Sequence, residues 1–246
     1  MKQILVIGET CIDEFIYCDT TRLCPEGPVP IVKPIYTTIN DGMSGNVVNN
    51  IKCIDSTAYI THVHQSDVIK KIRYVDKKSN HLFIRIDEEK DDISKCSLES
   101  IEQLQKNFYD LVIVSDYQKG FLSDEQLPVL AKLGTTSVLD TKRLLTDTII
   151  ENFTFVKLNE QEAYQNRHLT LSDKLIVTLG SRGTKYLEQI FETVEPVETI
   201  DVSGAGDTFT SAFALKYVET NDVTVSINFG NTMAAKVVRK RGVATP

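Results

Sequence analysis

The chain has 246 residues, 41% of them hydrophobic and 25% charged, with 34 acidic against 27 basic side chains and a formal net charge of −7. This length and balance suit one globular α/β domain with a full core, and the acidic surplus argues against nucleic acid, which asks for a basic face. No apolar run has the length of a membrane span. The five cysteines, odd in number and without a C-x-x-C pair, argue against a disulfide frame or zinc site and for reduced thiols in a cytoplasmic protein.

Met1-Lys2-Gln3 leads at once into an apolar run too short for a secretory leader, and residues 3–7 read as a buried strand. Residues 12–17 and 28–36 alternate or carry proline, as edge or lid strands do. Residues 46–54 form a short helix entered through a glycine-rich turn. Residues 57–63 form a strand, and His62 and His64 alternate at its end without the nearby ligands a metal site needs. Residues 69–75 and 81–87 alternate around Lys77-Lys78-Ser79-Asn80 and predict a hairpin. Helices are expected over 98–108, 124–133 and 160–166, and strands over 111–115, 137–140, 153–158 and 175–178. A hairpin over 185–194 and two helices over 205–218 and 222–239 follow. Strands alternating with helices predict a parallel sheet covered on both faces, with ligands at the carboxyl ends of the strands. Gly8, Asp116, Asp140, Asn159 and Thr178 all close strands in this reading. No repeat, low-complexity stretch or long linker divides residues 1–246, so one domain is expected.

The most informative stretch is Asp201-Val202-Ser203-Gly204-Ala205-Gly206-Asp207-Thr208. A small-residue turn feeds a helix whose apolar face is Phe209, Ala212, Phe213 and Tyr217. Free amides and the positive end of the helix dipole suit a phosphate there. Asp207, in the first turn, can then take a proton from a hydroxyl while the amides of Gly204, Ala205 and Gly206 hold the phosphoryl group in transfer. The plainer alternative is an acid that only complements the dipole. Asn159 and Glu162 share a helix face; they read either as an N-cap pair or as oxygen ligands for a hydrated Mg²⁺. Asp13 reads as a solvated carboxylate at a strand end, and Asn46 as a helix-start residue or a two-way partner for a hydroxyl. A substrate phosphate would need cations, for which Arg22, Lys33, Arg73, Arg85, Lys119 and Lys142 are candidates.

Asp201 to Asp207 resembles the D-[TS]-x-G-A-G-D signature of the ribokinase-like (PfkB) carbohydrate kinases. Other motifs of that family follow in its order: Ile4-Leu5-Val6-Ile7-Gly8 with Ile12-Asp13, Gly42-Met43-Ser44-Gly45-Asn46, Asn159-Glu160-Gln161-Glu162, and Thr178-Leu179-Gly180-Ser181-Arg182-Gly183. A narrower resemblance, to the heptose-7-phosphate kinases that form half of the bifunctional ADP-heptose synthesis proteins, lies in Arg22-Leu23-Cys24-Pro25-Glu26-Gly27-Pro28-Val29-Pro30, Ser115-Asp116-Tyr117-Gln118-Lys119-Gly120, Asp140-Thr141-Lys142, and His81 through Asp87. The chain departs from the family in three places. Met43 replaces a glycine, with bulk that narrows or reshapes a sugar site. Ser203 stands where threonine or glycine is usual, and a segment is skipped near residues 61–67.

The resemblance implies a three-layer sandwich with a mostly parallel sheet and a small β lid drawn from about residues 12–36 and 69–87. It implies ATP and Mg²⁺ as cofactors, a monovalent cation near Asp201, and Asp207 as base with Gly204, Ala205 and Gly206 around the phosphoryl group. Asp13, Gly42, Asn46, Arg85, Asp116 and Lys119 would bind the sugar. Asp140, Lys142, Asn159, Thr178, Gly180, Gly183, Asn231 and Gly242 would bind the nucleotide, and Asn159 with Glu162 the metal. The implied substrate is a heptose 7-phosphate, phosphorylated at its anomeric hydroxyl. The alternatives are a kinase for another sugar or sugar phosphate, such as fructose, ribose or fructose 6-phosphate, and a non-catalytic nucleotide- or sugar-binding protein. Pairing of lids implies a homodimer; no membrane partner is expected.

Overall fold

The computed structural model describes residues 1–170, 172–193 and 199–246. Eight strands make the main sheet: β1 (Gln3–Gly8), β4 (Tyr59–Val63), β7 (Tyr109–Asp116), β8 (Gly134–Thr141), β9 (Phe155–Asn159), β10 (Leu175–Thr178), β11 (Thr184–Tyr186) and β12 (Gln189–Phe191). Their order is β12-β11-β10-β9-β8-β7-β1-β4. Neighbours from β4 to β10 run parallel, and β11 and β12 are antiparallel additions. The inner strands read as unbroken apolar runs because both faces are covered: Ile4, Leu5, Val6 and Ile7 are all fully buried.

Alternate residues serve opposite faces. Ile4, Val6, Leu111 and Ile113 pack with α1 (Ser44–Ile54), α6 (Ala205–Thr220) and α7 (Val223–Val237) through Val47, Ile51, Phe209, Phe213 and Ile227. Leu5, Ile7, Val112 and Val114 pack with α2 (Leu98–Leu104), α3 (Gln126–Ala131) and α4 (Asp147–Ile150) through Ile101, Leu127, Leu130 and Ile149. The remaining α-helix among the described residues, α5 (Glu160–Gln165), follows β9 directly. The expected three layers are present.

A second sheet holds β2 (Thr10–Asp19), β3 (Lys33–Met43), β5 (Lys70–Asp76) and β6 (Leu82–Glu88), in the order β3-β2-β5-β6. β2 and β5 are parallel, and the outer pairs antiparallel. Asp13 lies opposite Lys71, Phe15 opposite Arg73, and Arg73 opposite Arg85, so these side chains share one face.

Several boundaries differ from the sequence reading. β3 begins later than expected and runs through Gly42 into Met43. A glycine inside that strand is required by its neighbour, since a Cβ at Gly42 would stand 2.0 Å from Asp13 Oδ2. The helix expected over 98–108 ends at Leu104, and the four-residue α4 is too short to show a period. The hairpin near the end is β11–β12; the last residue assigned to it, Val194, lies outside the described residues. The connection from β4 to β5 takes only residues 64–69, where the sequence skips a segment. Met43 is the N-cap of α1 at φ 57°, ψ −131°, a conformation that favours glycine. Its side chain is 2% exposed and packs in the core cluster with Leu5, Ile7, Cys11 and Ile69. The bulk expected to narrow a sugar site therefore fills the core. All five cysteines are free, and no helix among the described residues is long and apolar enough to cross a membrane.

Candidate active site

The site is built where α6 begins, beside the carboxyl ends of β7, β8 and β9. Gly204 caps α6 at φ 79°, and a Cβ there would stand 2.6 Å from Asn46 Nδ2. Only glycine fits both demands. The first amides of a helix have no intrahelical partner. The Ala205 amide, expected to face a phosphoryl group, instead donates to the Val202 carbonyl at 3.2 Å. The next two, of Gly206 and Asp207, stand at the positive end of the dipole of a 16-residue helix.

Asp207 is 6% exposed. Asn46 Nδ2 donates to its Oδ2 at 2.8 Å, and the Tyr117 hydroxyl donates to its Oδ1 at 2.9 Å. Burial pushes its carboxyl up to about 6, with the Asp140 charge adding to the effect; the Asn46 and Tyr117 hydrogen bonds and the Lys157 charge oppose it. Burial next to Asp207 also pushes the Tyr117 hydroxyl well above its ordinary range, so it stays a donor. The ammonium groups of Lys142 and Lys71 lie 4.4 Å and 5.3 Å from the centre of the Tyr117 ring. Burial, then the nearby Lys71 charge, pushes Lys142 down.

Asp140 accepts from Lys157 Nζ at 3.1 Å and from the Thr210 hydroxyl at 2.7 Å. Burial opposes the Lys157 charge, but Asp140 and Glu162 outweigh it and push Lys157 up. Lys157 Nζ would lie 3.2 Å from a Cβ at Gly206. A second cation therefore faces the start of α6.

The remaining candidates separate into groups. Asp13 is 5% exposed and ion-paired to Arg73, with Cys11 Sγ 3.7 Å from its Oδ2, so it is not the solvated acid of the plainer reading. Arg85 pairs with Asp87 on the outer strand β6 at 2.8 Å. Asp116 is closed off: its oxygens accept from Arg143 Nε at 2.6 Å, Arg143 Nη2 at 3.1 Å and Thr141 Oγ1 at 2.5 Å, and its side chain has no exposed surface. That carboxylate is a structural anchor in this geometry, not a free partner for a sugar. Lys119 Nζ pairs with Glu89 at 2.6 Å. Asn159 and Glu162 form a complete capping box: Asn159 Oδ1 accepts from the Glu162 amide at 2.8 Å, and Glu162 Oε2 accepts from the Asn159 amide at 2.7 Å. Glu162 keeps its second oxygen for another partner, and burial pushes its carboxyl up.

In the turn after β10, Gly180 and Gly183 have φ of 62° and 90°; Thr178 donates to the Leu158 carbonyl at 3.4 Å. A Cβ at Gly183 would strike the Phe191 carbonyl at 2.0 Å, while one at Gly180 would meet nothing. Asn231 was assigned to a nucleotide, but both ends of its amide belong to the fold, accepting from Thr184 Oγ1 at 2.7 Å and donating to the Phe191 carbonyl at 2.9 Å. Gly242 packs against the second sheet. Its nearest neighbours are Phe15 and Tyr17 of β2, and its amide donates to Asp201 Oδ2 at 3.0 Å.

Five residues that contribute to the site were not singled out from sequence for these roles: Glu9, Lys71, Tyr117, Arg143 and Lys157. Lys157 carried a signal, a lone charge inside the apolar run of a buried parallel strand. Tyr117 lay within a quoted motif. Oxygen donors on Asn159 and Glu162 suit Mg²⁺, and the amides at the start of α6 with Lys157 and Lys142 suit phosphate groups; the residues present fit a metal-bound nucleotide.

Residues 136–246 match the pfkB family carbohydrate kinase model. Along 99% of its length the chain is 30% identical to the bifunctional protein HldE of Sulfurimonas denitrificans and 28% identical to that of Desulfatibacillum aliphaticivorans. It spans only 62% and 61% of those two relatives. The latter alignment is 298 positions long, so the relative carries residues this chain lacks. Among solved structures, phosphofructokinase-2 of Escherichia coli in complex with potassium superposes with a TM-score of 0.72 at 16% identity, covering 99% of this chain and 94% of that one. The ribokinase of Thermotoga maritima gives 0.69 at 19% identity, covering 99% and 95%. The solved structures share the ribokinase-like fold with this chain, and its carboxyl-terminal part, residues 136–246 with the signature at Asp201 to Asp207, is similar to the pfkB family of carbohydrate kinases.

Proposed function

We propose that the protein transfers the γ-phosphoryl group of ATP to a hydroxyl of a sugar phosphate, with a heptose 7-phosphate, phosphorylated at the anomeric position, as the substrate. One observation carries the phosphoryl-transfer reading: a buried carboxylate of raised proton affinity, Asp207, sits in the same helical turn as open amides. In this reading Asp207 takes the proton of the acceptor hydroxyl. The acceptor oxygen bonds to the γ-phosphorus as the bond to the ADP oxygen breaks. The Gly206 and Asp207 amides and Lys157 stabilise the oxygens of the group in transit. Mg²⁺, held by Asn159 and Glu162 when bound, would neutralise phosphate charge. The turn at residues 178–183, with Asp140, would flank the nucleotide, and a monovalent cation would sit near Asp201.

The acceptor's own phosphate is supported by Lys71 and Lys142, which converge on Tyr117 and make no ion pair among the described residues. The Lys71 charge adds to burial in pushing Lys142 down, and an anion bound by both ammonium groups would relieve that repulsion. Asp13, Gly42 and Asn46 would then contact the sugar beneath the second sheet as lid. Ile84 and Ile86 on β6 and Ile39 on β3 are exposed on one face of the second sheet, which supports pairing of two copies through that sheet.

The test is ATP-dependent ADP release with Mg²⁺ across D-glycero-D-manno-heptose 7-phosphate, fructose 6-phosphate, fructose and ribose. Activity confined to the heptose phosphate is expected. Preference for an unphosphorylated sugar would discard the sugar-phosphate reading. Silence across the panel with ATP still bound would favour a binding protein.

A further inference from the structure

We infer that Glu9 and Tyr117 form a positioning chain for the base: Glu9 fixes the loop after β7, and that loop holds the Tyr117 hydroxyl against one oxygen of Asp207. The inference rests on the reading of Asp207 as the base.

Glu9 follows β1 and has no exposed surface. A buried carboxylate needs donors, and Glu9 finds three in one short loop. Its Oε2 accepts from the Tyr117 amide at 2.8 Å, and its Oε1 from the amides of Lys119 at 2.9 Å and Phe121 at 3.3 Å. The loop does not hold this shape by local preference. Gln118 has φ 55° and Gly120 φ 103°, and such a conformation at a non-glycine residue persists where its surroundings impose it. Glu9 is the group that imposes it.

What the loop presents is Tyr117. Its hydroxyl takes Oδ1 of Asp207 while Asn46 takes Oδ2, so each oxygen of the base has one fixed donor and the carboxylate plane is set. The charged and titratable groups facing Asp207 come from five places: Cys11 on β2, Tyr117 after β7, Asp140 on β8, Lys142 just beyond it, and Lys157 on β9. Tyr117 alone among them is a neutral donor hydrogen-bonded to the carboxylate. It favours the charged form of the base without bringing a charge of its own.

The experiment titrates the free protein, labelled with carbon-13 at the aspartate side-chain carboxyls, by NMR between pH 4 and 8. The signal missing from Asp207→Asn identifies the base. Tyr117→Phe is expected to raise that signal's midpoint by about one pH unit, and Glu9→Gln to raise it by less. An unchanged midpoint in Tyr117→Phe overturns the inference. A shift in Tyr117→Phe without one in Glu9→Gln overturns the anchoring role of Glu9. In turnover of ATP with D-glycero-D-manno-heptose 7-phosphate, Tyr117→Phe should lower kcat more at pH 6 than at pH 8 and leave KM for ATP unchanged; an equal loss at every pH would also overturn it. Failure of the base reading shows separately, as an Asp207→Asn variant that still turns over.

Discussion

Asn46 and Asp207 stand 161 positions apart in the chain, yet the Asn46 amide donates to the Asp207 carboxylate at 2.8 Å. The contact joins the first turns of α1 and α6 and fixes one oxygen of the proposed base. Asp207→Asn keeps the shape of the side chain and removes its ability to take a proton. Turnover should fall by roughly 10² to 10⁴, while ATP binding by isothermal calorimetry stays within a few-fold of wild type. A variant that keeps a tenth or more of the wild-type rate would rule out Asp207 as base.

The raised proton affinity of Asp207 sets two pH effects of opposite sign. The base works deprotonated, so kcat/KM should climb through about pH 6 and level off above it. Stability runs the other way. Because the folded-state value lies above the ordinary carboxylate value, the protonated form stabilises the fold at low pH, and that contribution is lost as pH rises through about 6. Compared with Asp207→Asn, the wild type should lose about 2 kcal/mol between pH 4.5 and 7.5. Urea denaturation of both proteins at the two pH values measures this, and a gap independent of pH would refute it.

Asp207 was legible in the sequence because its setting is local. Four consecutive residues, Gly204 to Asp207, define a turn, a helix start and a carboxylate. The layered sheet was legible for a similar reason, since each buried strand is a short apolar run bounded by turn residues. The partners of the base were not legible. Glu9 finds its donors 108 to 112 positions away, and nothing in either segment alone specifies the meeting. Asn231 and Gly242 show the converse. Family position suggested a pocket, and the fold gives both residues long-range neighbours, Thr184, Phe191, Phe15 and Tyr17, that no local pattern specifies.

Met43 combines an unfavourable backbone, φ 57°, with a side chain that is 2% exposed. The two effects can be separated by truncation. Met43→Ala loses the core packing, at about 2–5 kcal/mol, and keeps the strain. Met43→Gly loses the same packing and relieves the strain, worth of order 1–3 kcal/mol. Glycine should therefore be the more stable variant, the reverse of the order inside a helix and in line with the preference at an N-cap. Thermal melts of both decide the point; a higher Tm for alanine would show that the backbone there is unstrained.

Asp116 and Arg143 make a buried pair with two contacts, at 2.6 Å and 3.1 Å, and Asp116 has no exposed side-chain surface. Removing the cation leaves a buried carboxylate with Thr141 as its main side-chain donor. Arg143→Met should cost about 3–5 kcal/mol, read as a lowered urea midpoint, with the double variant Asp116→Leu/Arg143→Met recovering much of the loss. If Arg143→Met costs under about 1 kcal/mol, well below a broken buried pair, Asp116 is not the anchor its geometry indicates.

Lys71 and Lys142 bear on substrate choice. Both face the Tyr117 ring, one from β5 in the second sheet and one from the end of β8. They reach the ring from different sheets, and burial together with Lys71 already pushes the Lys142 ammonium toward its neutral form. An anion between them relieves that repulsion, so a phosphorylated acceptor should bind better than its unphosphorylated analogue and should raise the proton affinity of Lys142. Replacing either lysine by methionine keeps the apolar stem and removes the charge. Each replacement should raise KM for the sugar phosphate about tenfold or more, as loss of a charged hydrogen bond of roughly 1.5–3 kcal/mol requires, with kcat and the KM for ATP changed far less. If the ATP constant moves instead, the two lysines serve the nucleotide and the acceptor phosphate is held elsewhere.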